Sequence, residues 1–185
     1  SLKNNFKTKA TVKLFESKFA GEINQIRKKI KNQKNLSFHH SGHIGDVINV
    51  LPVIKDLALT HQCDLYFNIS KPLTVKFNEF QYDNIYLNKD IYDKLYPLLK
   101  KQKYINKIDI YSDQSIDINF DLIRQLPINL LFDNLRYGFQ ITGVQPDLNQ
   151  IYLDVEPHKD FVNKIVILRS PRYQNQFINY KFLKN

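Results

Sequence analysis

The chain has a single cysteine, no methionine and no tryptophan, and it lacks long apolar runs. With only Cys63 available, an internal disulfide is excluded and a thiolate metal cluster is disfavoured, as in a reducing compartment. No apolar run approaches the roughly 20 residues of a membrane span, and no secretory signal precedes the first apolar segment. We therefore expect a cytoplasmic protein. Because methionine is absent even at position 1, we also expect a processed or shortened chain.

What is present is ordinary for one globular core, with 185 residues that are 43% hydrophobic and 24% charged. The net charge of +9 is unevenly distributed. Residues 1–35 hold ten Lys or Arg and two Glu, whereas residues 36–185 are nearly neutral. We therefore divide the chain into a basic N-terminal segment (1–35), a central domain (36–163) and a C-terminal segment (164–185).

Apolar residues in the basic segment recur at helical spacing and predict one amphipathic helix. The apolar stripe comprises Val12, Phe15, Phe19, Ile23, Ile26 and Ile30. The opposite face is basic and ends in Arg27, Lys28, Lys29, Lys31 and Lys34. We favour a helix that docks on the protein through the stripe and leaves its basic face in solvent. The alternative is a membrane-peripheral role, in which the basic face meets anionic lipid or a polyanionic acceptor. No motif in the sequence supports nucleic-acid binding.

A short turn with two glycines carries the most informative pattern in the sequence. It spans Ser41–Gly45 and connects a predicted strand, Leu36–His40, to a predicted helix, Val47–Leu59. In α/β sheets such a strand-to-helix turn is where ligands bind. The candidate binding residues of the turn are Ser41, Gly42, His43 and Gly45.

Asp46 follows the turn directly and begins the predicted helix. An acid at this position satisfies free N–H groups of the first helical turn. A carboxylate held and oriented in this way is also suited to act as a general base. The residues alone leave both roles open.

Two further interpretations of the turn are weaker. The third glycine of the dinucleotide-binding pattern is missing, and no clear ribose-binding acid follows. His39, His40 and His43 lie close together, but strand alternation sends His39 and His40 to opposite faces of a sheet. We therefore predict no metal site.

The first strand, the helix and a second strand form a βαβ unit, which predicts a parallel sheet. Pro52 should kink the helix or separate its first turn. The further predicted elements are the second strand Cys63–Ile69, a short strand Ile85–Leu87, a helix Asp90–Lys101, an outer strand Ile105–Tyr111, helical pieces at 122–124 and 129–139, a strand or connector Ile151–Val155, a strand Lys164–Leu168 and a helix start Phe177–Leu183.

Several of these stretches resemble a known enzyme family. Gly45-Asp46-Val47-Ile48, followed by Leu51-Pro52-Val53-Ile54, resembles the N-terminal motif of the family 9 glycosyltransferases, the ADP-heptose:lipopolysaccharide heptosyltransferases and their relatives. Three later stretches are similar to a less characterised bacterial and phage branch. These stretches are Pro97–Ile105, Ile116–Asp121 with Arg124, and Arg169–Asn175.

The resemblance implies the N-terminal half of a GT-B enzyme, with a Rossmann-like, mainly parallel α/β sheet and flanking helices. It implies an inverting, metal-independent transfer to a glycan or glycolipid acceptor. The donor is a nucleotide-sugar and no cofactor is needed. Asp46 corresponds to the family's proposed base.

Residues 164–185 then correspond to the start of a truncated donor-side domain. Its turn after the predicted strand holds Ser170, Arg172 and Asn175, which would lie near the donor phosphates. The apolar segment that follows would fold back or join a second copy of the chain in a homo-oligomer. This chain alone would then be an incomplete enzyme.

Two rival functions remain open at this point. One is a non-catalytic module that keeps the fold and binds a glycan or a partner. The other is a nucleotide-dependent oxidoreductase, which needs an acid at the end of the second strand, where Asn68-Ile69-Ser70 supplies none.

Overall fold

The computed structural model describes residues 2–73, 85–125, 134–156 and 158–164. Contacts divide the chain into two compact units, Ser1–Asp154 and Val155–Asn185. The described part of the second unit holds one 3₁₀ turn, Lys159–Phe161, and the first unit holds the sheet.

The first unit alternates helices and strands. In chain order its elements are α1 (Leu2–Asn32), β1 (Asn35–His40), α2 (Ile44–Leu57), β2 (Gln62–Phe67), α3 (Lys89–Lys100), β3 (Lys107–Ile110), β4 (Ile118–Asn119), a 3₁₀ helix (Phe120–Gln125) and α4 (Asn134–Thr142).

Within the described residues the four strands form one sheet in the order β3-β2-β1-β4, and every pair is parallel. β1 pairs with β2 along its whole length, and on its other side Phe38 and His39 pair with Ile118 and Asn119. Along the chain, β2 and then β3 therefore add to one side of β1, and β4 then pairs with the opposite side of β1. The predicted parallel α/β sheet is confirmed, and it has the Rossmann-like arrangement with flanking helices.

The two faces of the sheet differ in chemistry. One face is apolar and fully buried, as Phe38, Leu65 and Ile118 show with exposures of 0%. α2 packs its own buried residues into the same core. The opposite face carries polar side chains, which the strand registers place side by side. They are Ser37, His39, Asp64, Tyr66, Lys107, Asp109 and Asn119.

The connection from β3 to β4 crosses this polar face without a helix. It spans residues 111–117, and Ser37 Oγ donates a hydrogen bond of 2.7 Å to the Ser115 carbonyl beneath it. Parallel strands are usually joined by a longer crossover that includes a helix. The polar face is therefore only partly covered, and Lys107 and Asp109 on it stay about half exposed, so its side chains need not be apolar.

Helix α1 docks through its apolar stripe, as predicted. Phe19, Ile23 and Ile26 are buried in the main core, while the side chains of Val12 and Phe15 lie outside the described set.

The basic face of α1 is less solvated than predicted. Arg27 Nη2 donates to the Gln140 carbonyl at 2.9 Å, and Lys29 Nζ lies 3.1 Å from the Asp117 carboxylate. The expectation of a fully exposed basic face is therefore wrong for these two cations, because both side chains contact residues outside α1. In the described part of the chain, no helix has the length and apolarity to cross a membrane.

Helix α2 starts three residues before the predicted Val47 and runs without a break through Pro52. Of the two predicted effects of Pro52, the separate first turn is therefore wrong, and the kink stays a prediction. Leu51 and Val53, on either side of the proline, are fully buried. Their packing on the sheet offsets the hydrogen bond that the proline cannot donate.

Other sequence predictions had mixed outcomes. The outer strand is confirmed as β3 at a sheet edge. Ile85–Leu87 is not a strand, because only one antiparallel bridge, Pro72 to Ile85, forms there. Residues 151–156 are a connector without secondary structure. The predicted strand Lys164–Leu168, apart from Lys164, and the helix start Phe177–Leu183 lie outside the described residues.

Two leucines of this region offer a matched test of the core. Leu51 is 0% exposed and Leu59, just beyond α2, is 78% exposed. We expect Leu51→Ala to lower the free energy of unfolding by about 2–5 kcal/mol because it opens a cavity. Leu59→Ala should change it by less than about 0.5 kcal/mol. Urea denaturation of both variants measures the difference, and equal losses would contradict this packing of α2.

Candidate functional site

The strand order places a candidate site where β1 and β4 end. In open α/β sheets, ligands bind beyond the carboxyl ends of the strands at the point where the chain reverses its direction of sheet growth. Here that point lies between β1 and β4. The Ser41–Gly45 turn follows β1 and the 3₁₀ helix with Asp121 follows β4. The predicted turn therefore lies at the expected edge of the sheet.

Asp46 is the third residue of α2, and its carboxylate faces back to the start of the helix. Its Oδ2 accepts a hydrogen bond of 3.1 Å from the backbone N–H of His43, the N-cap residue. This interaction is half of a capping box and places an acid at the positive end of the helix dipole. The capping role is confirmed, and the role as a general base stays a prediction.

The closest surroundings of Asp46 are tightly packed. It shares a cavity of only about 10 Å³ with His40 and with side chains of α2, α4 and the 3₁₀ helix. A cavity of this size barely reaches the ~10–15 Å³ that one water needs. This cavity is therefore too small for a ligand, whereas Asp46 itself is only partly buried among the described residues.

Asp121 holds the turn in place, and sequence reasoning did not identify it. It is 2% exposed. Its Oδ1 accepts the backbone N–H of Ser41 at 3.1 Å. Its Oδ2 accepts the Ser41 hydroxyl at 2.6 Å and the Lys71 ammonium at 2.9 Å. One buried carboxylate thus joins the ends of β1 and β4 to the segment that follows β2.

The charge state of Asp121 follows from these contacts. Burial raises the pKa of its carboxyl group. The neighbouring His40, the Ser41 hydroxyl and the Lys71 ammonium lower it by more, so the pKa lies well below its usual range. Asp121 is therefore an ionised acceptor at neutral pH, and it positions the turn instead of exchanging protons. The available signal was the Ile116–Asp121 stretch, which ends in this acid, but β4 itself was too short to predict.

The three histidines serve different local purposes. His40 Nδ1 accepts the Gly42 N–H at 2.7 Å and so helps to close the turn. His39 Nδ1 lies 3.1 Å from Asn119 Oδ1, on the polar face. The His43 ring packs edge-on against Tyr86, with 5.7 Å between ring centroids. Among the described residues, no group of three His, Cys, Asp or Glu side chains could hold a metal ion.

Cys63 is not a candidate nucleophile. It is 1% exposed, and burial, aided by the Asp64 carboxylate, raises the pKa of its thiol to about 12. The thiol therefore stays protonated at neutral pH.

Among the described residues, neither a close contact nor a positive φ requires a glycine at position 45. It lies in the first turn of α2, and a Cβ added there would meet no atom within 4 Å. Among described glycines, the positive φ occurs at Gly143. Glycine inside a helix costs about 0.5–1 kcal/mol relative to alanine, and the described residues give no steric reason for that cost at Gly45. The other candidates, Ser170, Arg172 and Asn175, lie outside the described residues.

We expect Asp121→Asn to lower the free energy of unfolding at pH 7 by about 1.5–3 kcal/mol, because bonds to a buried charged group are lost. The pKa of Asp121 is depressed in the folded state. Its stabilisation is therefore complete above the ordinary carboxyl pKa of about 4 and is lost as the pH falls through the lower folded pKa. The gap between wild type and variant should accordingly shrink below about pH 4.

Urea denaturation across this pH range is the measurement. Asp93→Asn is the control, because Asp93 forms an exposed ion pair with Lys89 and should cost little. A gap for Asp121→Asn that stays constant down to pH 2 would contradict the assignment.

The chain was also compared with known proteins. No protein-family model, no curated protein and no solved structure matches it. The resemblance to family 9 glycosyltransferases therefore depends on the motif residues alone.

Proposed function

We propose that the chain is the acceptor-binding part of an inverting, metal-independent glycosyltransferase that uses a nucleotide-sugar donor. The main support for this proposal is the position of Asp46 at the edge of the sheet where the strand order reverses. One of its carboxylate oxygens is fixed there by the His43 N–H at 3.1 Å. A general base needs this combination of an accessible edge and a fixed orientation. The resemblance around Gly45-Asp46 supplies the reaction type.

The proposed step is a direct displacement at the anomeric carbon. Asp46 takes the proton of an acceptor hydroxyl while the hydroxyl oxygen attacks that carbon. The bond to the nucleoside diphosphate breaks on the opposite face, and the pair of electrons leaves with the phosphate oxygen. The stereochemistry at the anomeric carbon is therefore inverted.

The remaining residues of the turn set the approach of the acceptor. Asp121 fixes Ser41 through two hydrogen bonds, so the start of the turn does not shift when a ligand enters. Gly45 leaves open space in front of the first helical turn. The ring of His43, the N-cap residue of α2, packs against Tyr86 and would contact the sugar.

The proposal extends to partners of the whole protein. Ser170, Arg172 and Asn175 would contact the donor phosphates, since guanidinium groups bind phosphate well. The exposed cations Lys28 and Lys31 of α1, with Lys34 just after the helix, would favour an anionic glycolipid surface on the cytoplasmic side of a membrane.

We expect Asp46→Asn to reduce glycosyl transfer by about 10²–10⁴-fold, because the amide still caps the helix but accepts no proton at neutral pH. The assay is nucleotide release from ADP- and UDP-sugars by the full-length product of the gene. Asp56→Asn, on the same helix but away from the sheet edge, is the control and should transfer normally. Near wild-type turnover in Asp46→Asn would leave Asp46 with its capping role alone. Absence of transfer in the wild type with every donor would favour a non-catalytic glycan-binding module.

Gly45→Ala offers a second test with opposite effects on stability and activity. The variant should be more stable by up to about 1 kcal/mol, because alanine favours the helix. Transfer should fall, since the added methyl group enters the space that the acceptor would occupy. Gly21→Ala is the matched control, because a Cβ at Gly21 on α1 also meets no atom within 4 Å. It should gain stability without losing transfer. Equal transfer in both variants would argue against acceptor approach at Gly45.

A further inference from the structure

A second cavity lies on the polar face of the sheet, away from the Asp46 turn. Its volume is about 510 Å³, within the ~300–1,000 Å³ range of small-molecule sites. The walls are α1 on one side and the segment 111–117 on the other, and the floor is the end of β1 and β4. Its lining residues are Glu22, Gln25, Ile26, Lys29, His39, Tyr111, Ile116, Asp117, Asn119 and Leu122. We call this cavity the polar groove.

Interactions among the lining residues connect the walls and the floor of the polar groove. Lys29 Nζ lies 3.1 Å from Asp117 Oδ1. Asp117 Oδ2 accepts the N–H of Ser37 at 3.0 Å and lies 2.9 Å from the Ser37 hydroxyl oxygen. His39 Nδ1 meets Asn119 Oδ1 at 3.1 Å. The Tyr111 ring packs edge-on against the His39 ring, with 4.9 Å between centroids. These interactions fix the groove before any ligand binds.

Several polar groups of the groove remain available to a ligand. Within the described part of the chain, the Tyr111 hydroxyl, the Asn119 Nδ2 amide and the Gln25 side chain make no hydrogen bond. They provide donors and acceptors on both walls and on the floor. Ile26, Ile116 and Leu122 place apolar surface between them.

The charge of the groove restricts the ligand. The lining includes two carboxylates, of Glu22 and Asp117, and one ammonium, of Lys29, which is paired with Asp117. This balance disfavours phosphates and nucleotides, because like charges repel at short range. Separate donors and acceptors interleaved with an aromatic ring and aliphatic patches suit a ligand that has many hydroxyl groups and an apolar ring face.

We propose that the polar groove binds a neutral saccharide. The site is distinct from the Asp46 turn and does not depend on glycosyl transfer.

Calorimetric titration of the 185-residue chain tests the proposal without any donor present. The probes are glucose, galactose, mannose, N-acetylglucosamine, maltose and lactose, with glucose 6-phosphate as the anionic counterpart and spermidine as a cationic one. We expect saturable binding of at least one neutral sugar, and weaker binding of the phosphorylated form. If no neutral sugar binds, or if spermidine or glucose 6-phosphate binds more tightly, the proposal is overturned.

Two variants locate the binding. Tyr111→Phe removes the hydroxyl and keeps the ring against His39, and Gln25→Ala removes the amide from an exposed position on α1. Each should weaken sugar binding by about fivefold or more, the effect of one lost hydrogen bond. Tyr96→Phe on α3 and Asn24→Ala beside Gln25 are the matched controls and should bind normally. Unchanged affinity in both groove variants would overturn the site, and far-UV circular dichroism verifies that each variant is folded.

Discussion

The described fold depends on one buried carboxylate, that of Asp121, which lies where the strand order reverses between β1 and β4. Asp121 accepts bonds from the Ser41 N–H, the Ser41 hydroxyl and the Lys71 ammonium. Removing a carboxylate from water is costly unless it is paired and hydrogen-bonded, and these contacts meet that requirement. The same contacts prevent the Ser41–Gly45 turn from moving independently of β4. The geometry around Asp46 therefore depends on Asp121, which lies 75 positions later in the chain.

The two faces of the sheet differ in role, because one belongs to the hydrophobic core and the other lines the polar groove. The apolar face and α2 contain the fully buried side chains of the core. The other face is crossed by the short segment 111–117 and by the edge of α1, which leaves the polar groove between them. Because the hydrophobic core needs only the first face, the second face can carry polar groups with little loss of stability.

Features set by neighbouring residues could be predicted from the sequence, and features set by distant contacts could not. The βαβ unit around α2 follows from local periodicity, and the cap formed by Asp46 follows from its three-residue spacing to His43. β4 has two residues and shows no periodicity. The partners of Asp121 lie 50 and 80 positions away, and no local pattern encodes them. The contacts of Arg27 and Lys29 were missed for the same reason.

Among the described residues β3 has a neighbouring strand on one side only, and this position has a consequence for the behaviour of the protein at high concentration. β3 has four residues, and two of them, Lys107 and Asp109, place charged side chains along the edge, 3.3 Å from each other. An unpaired strand edge is a template for another chain, and short length and charge are the features by which native sheets resist such pairing. The lysine beside the aspartate therefore makes extension of the sheet by a neighbouring molecule less favourable.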